Sequence, residues 1–316
     1  MNHKRKKVTV VGSGFVGSTC AHWIVSKDLA DVVLIDINDG LAKGRALDLY
    51  EATPVIQKDI KIQGGSDYSL AKDSDIVVIT AGLPRRPGMS RSDLLTKNAQ
   101  IMHDICQNLL REVGNKNTCY IIVSNPLDAM VYVAHQILKA PREKIIGMAG
   151  VLDTARFKTF ISEALGVSVQ DISALVLGGH GDSMVPLVRF CTVGGIPLTQ
   201  LMNEETQARL IERTRKGGGE IVSLLQTGSA YYAPSASVVE MVEAILKDQN
   251  RILPCAALLQ GEYGQKDIFV GVPCQLNGRG LEKIIEVPLN EKEQKQFQES
   301  VAAVQDTLSS MESLLK

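Results

Sequence analysis

The stretch KVTVVGSGFVG, residues 7–17, decides the fold of this chain of 316 residues. A short run of apolar and β-branched residues is followed at once by glycines in the spacing G-x-G-x-x-G, and a segment of helical periodicity comes next. A strand, a glycine turn and a helix in this order are typical of the first unit of a doubly wound parallel sheet that binds a dinucleotide. The same letters have the spacing of a P-loop, but Ser18 stands where that motif requires lysine, which disfavours a nucleotide-hydrolysing site.

The glycines of this turn have separate expected roles. Gly12 permits the tight turn, Gly14 lets the backbone approach a pyrophosphate, and Gly17 allows the helix to pack closely. The pyrophosphate is then expected at the N-terminus of the helix, where free N–H groups and the helix dipole favour anions. We therefore assign the whole turn to the cofactor site: Gly12, Ser13, Gly14, Phe15, Val16 and Gly17.

Asp36 indicates which dinucleotide binds. It ends the second predicted strand about 20 residues after Gly17, where a carboxylate accepts hydrogen bonds from the hydroxyl groups of the adenosine ribose. A carboxylate at this place also repels a 2′-phosphate, because both groups are negatively charged. The sequence therefore predicts NAD rather than NADP as the cofactor.

The first half of the chain alternates short apolar runs with helical patterns. Runs that are apolar on consecutive residues indicate strands buried on both faces, as in parallel sheets. We predict strands at residues 8–11, 32–35, 76–79, 120–123 and 144–147, and helices at residues 16–25, 41–51, 94–113 and 130–138. This alternation predicts an α/β fold with a doubly wound parallel Rossmann sheet in residues 1–150, the NAD-binding domain.

After about residue 150 the pattern changes to a mixture of helices and strands. Helices are predicted at residues 154–165, 204–226, 238–247 and 291–315. Strand-like runs fall at residues 172–177, 252–259, 268–272 and 284–287, with turns at residues 262–264 and 277–280. We therefore expect a smaller α+β domain for the substrate over residues 151–316.

Composition disfavours several classes of function. Lysine and arginine number 34 against 35 acidic residues, and aromatic residues make up only 4%, which argues against a nucleic-acid partner. Apolar runs fall short of the ~20 residues needed to span a bilayer, so no membrane partner is expected. The six cysteines form no C-x-x-C pair and lie mostly among apolar residues. We therefore expect buried reduced thiols, no metal site and a cytoplasmic location.

Four short motifs carry candidate chemistry. LGGHGDS places His180 directly after a predicted strand, and an imidazole of ordinary pKa, near ~6.5, exchanges protons at neutral pH. VLDTARF places Asp153 and Arg156 on one face of a predicted helix. AGLPRRPGMSR is rich in arginines, which are suited to binding carboxylates. VSNPLD puts Asn125 at the end of a predicted strand, where ligands bind in such sheets. Taken singly, these motifs also fit an inert loop histidine, a surface ion pair and a solvated basic loop.

In their order along the chain, GSGFVG, AGLPRRPGMSR, VSNPLD, VLDTARF and GGHGDSMVP resemble the motifs of the lactate/malate dehydrogenase family, and its malate-specific members most closely. The resemblance covers essentially the whole chain. It implies NAD-dependent hydride transfer, with His180 as the proton donor and acceptor and Asp153 as the group that orients it.

The same resemblance implies the substrate contacts. It implies that Arg156 binds the C1 carboxylate and that Arg91, on a loop that closes, polarises the reacting carbonyl. Asn125 is expected to bind the substrate. The residues implied to lie beside the cofactor are Asn98, Val123, Ser124 and Asn125.

Arg85 is implied to select the substrate. In this family the residue at its place faces the substituent of the 2-oxo acid, and it is glutamine in lactate enzymes and arginine in malate enzymes. Arg85 then pairs with the second carboxylate of oxaloacetate, whereas pyruvate leaves a buried cation unpaired at a cost of about 3–5 kcal/mol. Because Arg86 is adjacent, a shift of one residue in the loop exchanges their roles.

The expected substrate is therefore a small dicarboxylate, malate or oxaloacetate. Two other interpretations stay open on the sequence alone: a dehydrogenase for lactate or another 2-hydroxy acid, and a noncatalytic NAD-binding module. The second needs no proton donor, so the joint presence of His180, Asp153, Arg91 and Arg156 argues against it. The resemblance also implies a homo-oligomer, either a dimer or a tetramer.

Overall fold

Strands and helices alternate through the first half of the chain. The computed structural model describes residues 5–83, 91–114 and 117–315, except for the side chains of Arg91 and residues 312–315. The elements of this half are β1 (Lys7–Val11), α1 (Phe15–Ser26), β2 (Asp31–Ile35), α2 (Asp39–Ala52), β3 (Ile62–Gly65), β4 (Ile76–Ile79), α3 (Arg91–Glu112), β5 (Cys119–Ile122), α4 (Leu127–Leu138) and β6 (Ile145–Gly147).

These strands form a parallel sheet in the order β3-β2-β1-β4-β5-β6. Every residue of β4 and β5 is buried, which explains why their sequences are apolar without alternation. The strand order reverses beside β1, so a crevice opens at the carboxyl ends of β1 and β4. The predicted fold class is confirmed.

The second half extends the same sheet. Its elements are α5 (Gly150–Leu165), β7 (Ile172–Ser173), β8 (Val176–Leu177), β9 (Val185–Pro186), β10 (Thr192–Val193), β11 (Ile196–Pro197), α6 (Leu198–Leu201), α7 (Glu204–Leu225), α8 (Tyr232–Leu246), β12 (Arg251–Gln260), β13 (Lys266–Asn277), β14 (Gly280–Ile284) and α9 (Glu291–Leu315). β12 pairs antiparallel with β6 through Ala256 and Gly147, and β13 and β14 continue outward from it. The strands β7 to β11 form two small antiparallel sheets beside this one.

The secondary structure differs from the predictions in several places. β3 was not predicted, because its sequence IQGG has no apolar run. Gly64 in this strand lets α2 pack so closely that a Cβ on Gly64 would lie 2.2 Å from the carbonyl oxygen of Ala42. The single strand predicted at residues 172–177 is two strands, β7 and β8, which pair with different partners. The strand predicted at residues 284–287 ends at Ile284. Beyond it, the hydroxyl of Tyr263 donates a hydrogen bond to the carbonyl oxygen of Ile285 and accepts one from the backbone N–H of Val287.

Two absences concern only the part of the chain that the structure describes. No helix there is long and apolar enough to cross a membrane. No group of three or more histidine, cysteine, aspartate or glutamate side chains there could hold a metal ion.

All six cysteines are buried free thiols, as the sequence predicts. The proposed domain boundary after residue 150 falls at the start of α5 and stays a prediction.

Candidate active site

The glycine turn after β1 has the close contacts that its spacing predicts. Gly12 has a φ of +101°, and a Cβ there would lie 2.6 Å from the backbone nitrogen of Ala81. A Cβ on Gly17 would lie 1.9 Å from the carbonyl oxygen of Gly12, so α1 packs directly on the turn. A Cβ on Gly14, by contrast, would meet nothing within 4 Å. Glycine at positions 12 and 17 therefore serves the turn itself, and Gly14 leaves its outer face open to a ligand.

The residues around this turn fit the dinucleotide that the sequence predicts. The first turn of α1 carries no acidic side chain, and Gly14 provides no side-chain cap. The hydroxyl of Ser13 is buried and has no hydrogen-bond partner among the described residues, which leaves it available to a ligand. Asp36 lies at the carboxyl end of β2 and accepts hydrogen bonds from the backbone N–H groups of Ser13 (2.7 Å) and Asn38 (2.9 Å). One hydrogen bond thus joins the turn predicted to hold the pyrophosphate to the carboxylate predicted to bind the ribose.

Arg45 is a contact of this turn that the sequence did not reveal. Its guanidinium donates hydrogen bonds to the carbonyl oxygen of Ser13 and to the hydroxyl of Ser18, the latter at 2.7 Å. It also lies over the ring of Phe15, 5.6 Å from the ring centre. Arg45 is on α2, and nothing in the spacing of that helix points to the turn. Its contacts stabilise the loop that carries the cofactor site.

His180 and Asp153 form the pair that the sequence predicts. Nδ1 of His180 lies 2.9 Å from Oδ2 of Asp153, and the Asp153 side chain is only 2% exposed. Glycines with positive φ at positions 178 and 181 allow the chain to turn around His180 after β8. Because a carboxylate only accepts, Nδ1 carries the hydrogen of this bond, which leaves Nε2 as the ring atom able to exchange a proton.

The charges around His180 make its imidazole more basic. Burial lowers the pKa of His180, whereas the Asp153 carboxylate raises it through its charge and its hydrogen bond. A second carboxylate, Asp128, also raises the pKa, and Arg156 opposes it. The net effect is a pKa above the ordinary value for histidine. The protonated form of this imidazole therefore persists to a higher pH.

Arg156 lies on the other side of the same carboxylate. Its Nη1 is 3.3 Å from Oδ1 of Asp153, three residues earlier on α5. The side chain is 14% exposed and packs against α7, where a Cβ on Gly217 would lie 3.2 Å from its Cδ and a Cβ on Gly218 would lie 3.5 Å from its Nη2. The buried carboxylate of Asp153 thus holds the imidazole of His180 with one oxygen and the guanidinium of Arg156 with the other.

The residues predicted at the end of β5 are held together by backbone contacts. Oδ1 of Asn98 accepts from the N–H of Leu83 (2.8 Å), and its Nδ2 donates to the carbonyl oxygens of Leu83 (3.2 Å) and Asn125 (2.7 Å). The hydroxyl of Ser124 donates to the carbonyl oxygen of Ala81 (2.6 Å), while Val123 is buried. Asn125 is exposed and precedes a cis peptide bond to Pro126. The side chain of Asn98 therefore positions the two segments that flank the site.

Part of the predicted substrate loop lies outside the described residues. Arg85 and Arg86 both belong to that part. Arg91 is the first residue of α3, but its side chain is likewise not described.

Sequence reasoning missed two further features of the site. Asp128 lies in the motif VSNPLD, and its Oδ2 accepts a hydrogen bond from the backbone N–H of His180 at 3.0 Å. An acid in the first turn of a helix ordinarily stabilises the helix dipole, so this residue gave no distinct signal. Gly217 and Gly218 do give a signal in the sequence. Consecutive glycines inside a helix cost about 1 kcal/mol each, and they indicate close packing of another group against the helix.

Comparison with known proteins agrees with this geometry. Residues 6–147 match the NAD binding domain of lactate/malate dehydrogenase, and residues 150–314 match the alpha/beta C-terminal domain of the same family. The chain belongs to the lactate/malate dehydrogenase family. The family resemblance seen in the motifs is therefore confirmed, and so is NAD as the cofactor of this dehydrogenase.

Relatives within the family resemble the dehydrogenase over its whole length. The malate dehydrogenase of Roseiflexus castenholzii is 52% identical over 98% of this chain and 100% of its own, and that of Geobacillus kaustophilus is 53% identical over 99% and 100%. The structure of malate dehydrogenase from Salinibacter ruber superposes with a TM-score of 0.93 at 47% identity, covering 98% of both chains. Lactate dehydrogenase of Cryptosporidium parvum, in complex with lactic acid and NAD, gives 0.94 at 39% identity over 98% of this chain and 99% of its own.

Proposed function

We propose that this chain is an NAD-dependent malate dehydrogenase, which interconverts malate and oxaloacetate. The observation that carries the proposal is the pair of contacts made by Asp153, to His180 on one oxygen and to Arg156 on the other. This arrangement serves a reaction in which a proton moves while a carboxylate is held nearby. Full-length relatives about 52% identical to this chain carry the name malate dehydrogenase, which supports malate as the substrate.

The protein groups divide the chemistry among them. When bound, NAD supplies the hydride acceptor for the alcohol carbon and NADH the donor for the carbonyl carbon. In the direction of oxidation, Nε2 of His180 takes the proton of the substrate hydroxyl, and it returns that proton in the direction of reduction. Asp153 keeps Nδ1 protonated and stabilises the imidazolium that results. Arg156 binds the C1 carboxylate through its fork of N–H donors.

Three further side chains complete the proposed site. Arg91 polarises the reacting carbonyl and Asn125 donates a hydrogen bond to the substrate, both on the ground of the family motifs in which they lie. Arg85 pairs with the second carboxylate of the substrate, which distinguishes oxaloacetate from pyruvate.

The substrate assignment is tested by steady-state kinetics with oxaloacetate and pyruvate. The unmodified enzyme is expected to prefer oxaloacetate in kcat/KM, and Arg85→Gln is expected to lower that preference about a hundredfold, since roughly 3 kcal/mol of buried charge pairing is lost. Arg86→Gln is the matched control, with the same change of charge one residue away, and should leave the preference unchanged. If only Arg86→Gln changes it, the two arginines exchange roles. A preference of the unmodified enzyme for pyruvate refutes malate and favours the lactate alternative.

The contact between Arg156 and α7 gives a second test. Gly217→Ala is expected to raise KM for oxaloacetate about fourfold, because the new Cβ shifts the stem of Arg156 by a few tenths of an ångström and a misplacement of ~1 Å can cost ~100-fold. Gly219→Ala is the matched control: it lies two residues on in the same helix, and its Cβ would meet nothing within 4 Å. That variant should keep KM and gain at most about 1 kcal/mol of stability. Equal KM values for the two variants would show that α7 does not position Arg156.

A homo-oligomer, dimer or tetramer, and a cytoplasmic location belong to the same proposal. Large apolar side chains exposed on α1 and α2, among them Trp23, Leu47 and Tyr50, support a contact between copies of the chain. Six free cysteines support a reducing compartment.

A further inference from the structure

One buried carboxylate in the site has no part in the mechanism above. Asp128 lies in the first turn of α4, two residues after Pro126, and is 8% exposed. Its Oδ2 accepts the hydrogen bond from the backbone N–H of His180 at 3.0 Å. Its Oδ1 is buried and has no hydrogen-bond partner among the described residues. A charged oxygen left in this state is costly unless a positive charge lies nearby, and the ring of His180, when protonated, interacts favourably with the charge of Asp128.

The charged groups that face His180 come from two helices. Asp153 and Arg156 approach it from α5, and Asp128 approaches it from α4. Burial raises the pKa of Asp128 to about 6, while the hydrogen bond from His180 and the charge of its ring lower it. Asp128 is therefore mostly ionised at neutral pH, where its charge raises the pKa of His180 together with that of Asp153.

We propose that Asp128 is a positioning residue for the catalytic histidine, which fixes the backbone of His180 against α4 and, when ionised, makes the imidazole a stronger base. This inference rests on the proposed function, since it concerns the proton exchanged at His180. Asp153 forms a hydrogen bond with the ring of His180, whereas Asp128 binds the backbone N–H of His180 and acts on the ring through its charge.

An uncharged side chain makes a similar contact to the same loop next to the one that Asp128 makes. The backbone N–H of Gly179 donates to the hydroxyl of Ser300 on α9 at 2.8 Å, one residue before the contact between His180 and Asp128. Two successive amides of the same loop are thus held by side chains, one neutral and one charged. A change at Ser300 tests the anchoring of the loop alone, whereas a change at Asp128 tests anchoring and charge together.

The experiment compares pH profiles of kcat/KM for malate oxidation by the full-length enzyme, Asp128→Asn and Ser300→Ala. Asparagine keeps the shape and an accepting oxygen for the N–H of His180 but removes the charge. The acid limb of the profile is expected to move about one unit to lower pH in Asp128→Asn, because His180 becomes a weaker base. Ser300→Ala is expected to lower the plateau without moving the limb.

The outcomes separate this inference from the proposed function. If the unmodified enzyme oxidises malate and the limb of Asp128→Asn does not move, or moves equally in Ser300→Ala, the charge of Asp128 has no role and the inference is wrong. If the unmodified enzyme does not act on malate at all, it is the proposed function that fails.

A measurement without cofactor or substrate gives a second readout. Diethyl pyrocarbonate reacts with neutral imidazole, and the difference in absorbance change between the unmodified protein and His180→Asn isolates the reaction at His180. The midpoint of its rate against pH is expected to lie lower in Asp128→Asn than in the unmodified protein, because asparagine carries no charge to favour the imidazolium. Asp128→Glu keeps the charge and should keep the midpoint. Equal midpoints in the unmodified protein and Asp128→Asn would overturn the inference.

Discussion

Replacing His180 by asparagine is expected to lower kcat for malate oxidation about 10³- to 10⁴-fold. Asparagine has nearly the reach of the imidazole but cannot take a proton from the substrate. The loss is expected in the chemical step, because His180 lies on the loop after β8 and its hydrogen bonds go to Asp128 on α4 and Asp153 on α5. The dissociation constant for NADH, measured by fluorescence, should therefore stay unchanged.

Two companion variants sharpen this prediction. Asp153→Asn should cause a large part of the same loss, since it removes the carboxylate that keeps Nδ1 protonated and stabilises the imidazolium. His103→Asn is the control: this histidine is half-exposed on α3, contacts Asp104, and should leave kcat as it is. Turnover by His180→Asn within tenfold of the unmodified enzyme would show that another group exchanges the proton.

Replacing Arg156 by glutamine is expected to reduce kcat/KM for oxaloacetate about a thousandfold, or roughly 4 kcal/mol. Glutamine loses the charge and the fork of donors that bind the C1 carboxylate in the proposed site. It also leaves Oδ1 of Asp153 without the cation that now lies 3.3 Å away. Most of the loss should appear in KM, because the carboxylate is bound both before and during the reaction.

The control for this variant lies on the neighbouring helix. Arg213 on α7 is exposed and paired with Glu163 and Glu220, so Arg213→Gln makes the same change of charge outside the site. Exposed ion pairs contribute at most about 1 kcal/mol, and no change in KM is expected. If Arg156→Gln and Arg213→Gln raised KM equally, the effect would come from the overall field of the protein and Arg156 would not be a specific contact.

Much of the architecture was predictable because its signals are local. The glycine turn, the buried runs of the parallel strands and Asp36 at the end of β2 depend on spacing along a few residues, and the structure places them as predicted. The closing helix also begins and ends where its periodicity indicates, at Glu291 and Leu315. The strand β3 was not predicted because its own sequence has no strand pattern. Its place in the sheet depends on the packing of α2 against Gly64.

The sequence by itself predicted the strands β1, β2, β4, β5 and β6, the glycine turn and the candidate residues for the chemistry. Only the tertiary structure decided how those residues meet: Asp128 on α4, Asp153 on α5 and Gly217 on α7 converge on His180 and Arg156 from separate elements. Periodicity and turn chemistry act over a few residues, so they fix elements and the neighbours on one helix face. Contacts between distant elements depend instead on how helices pack on the sheet and on each other, and that packing sets both the basicity of His180 and the position of Arg156.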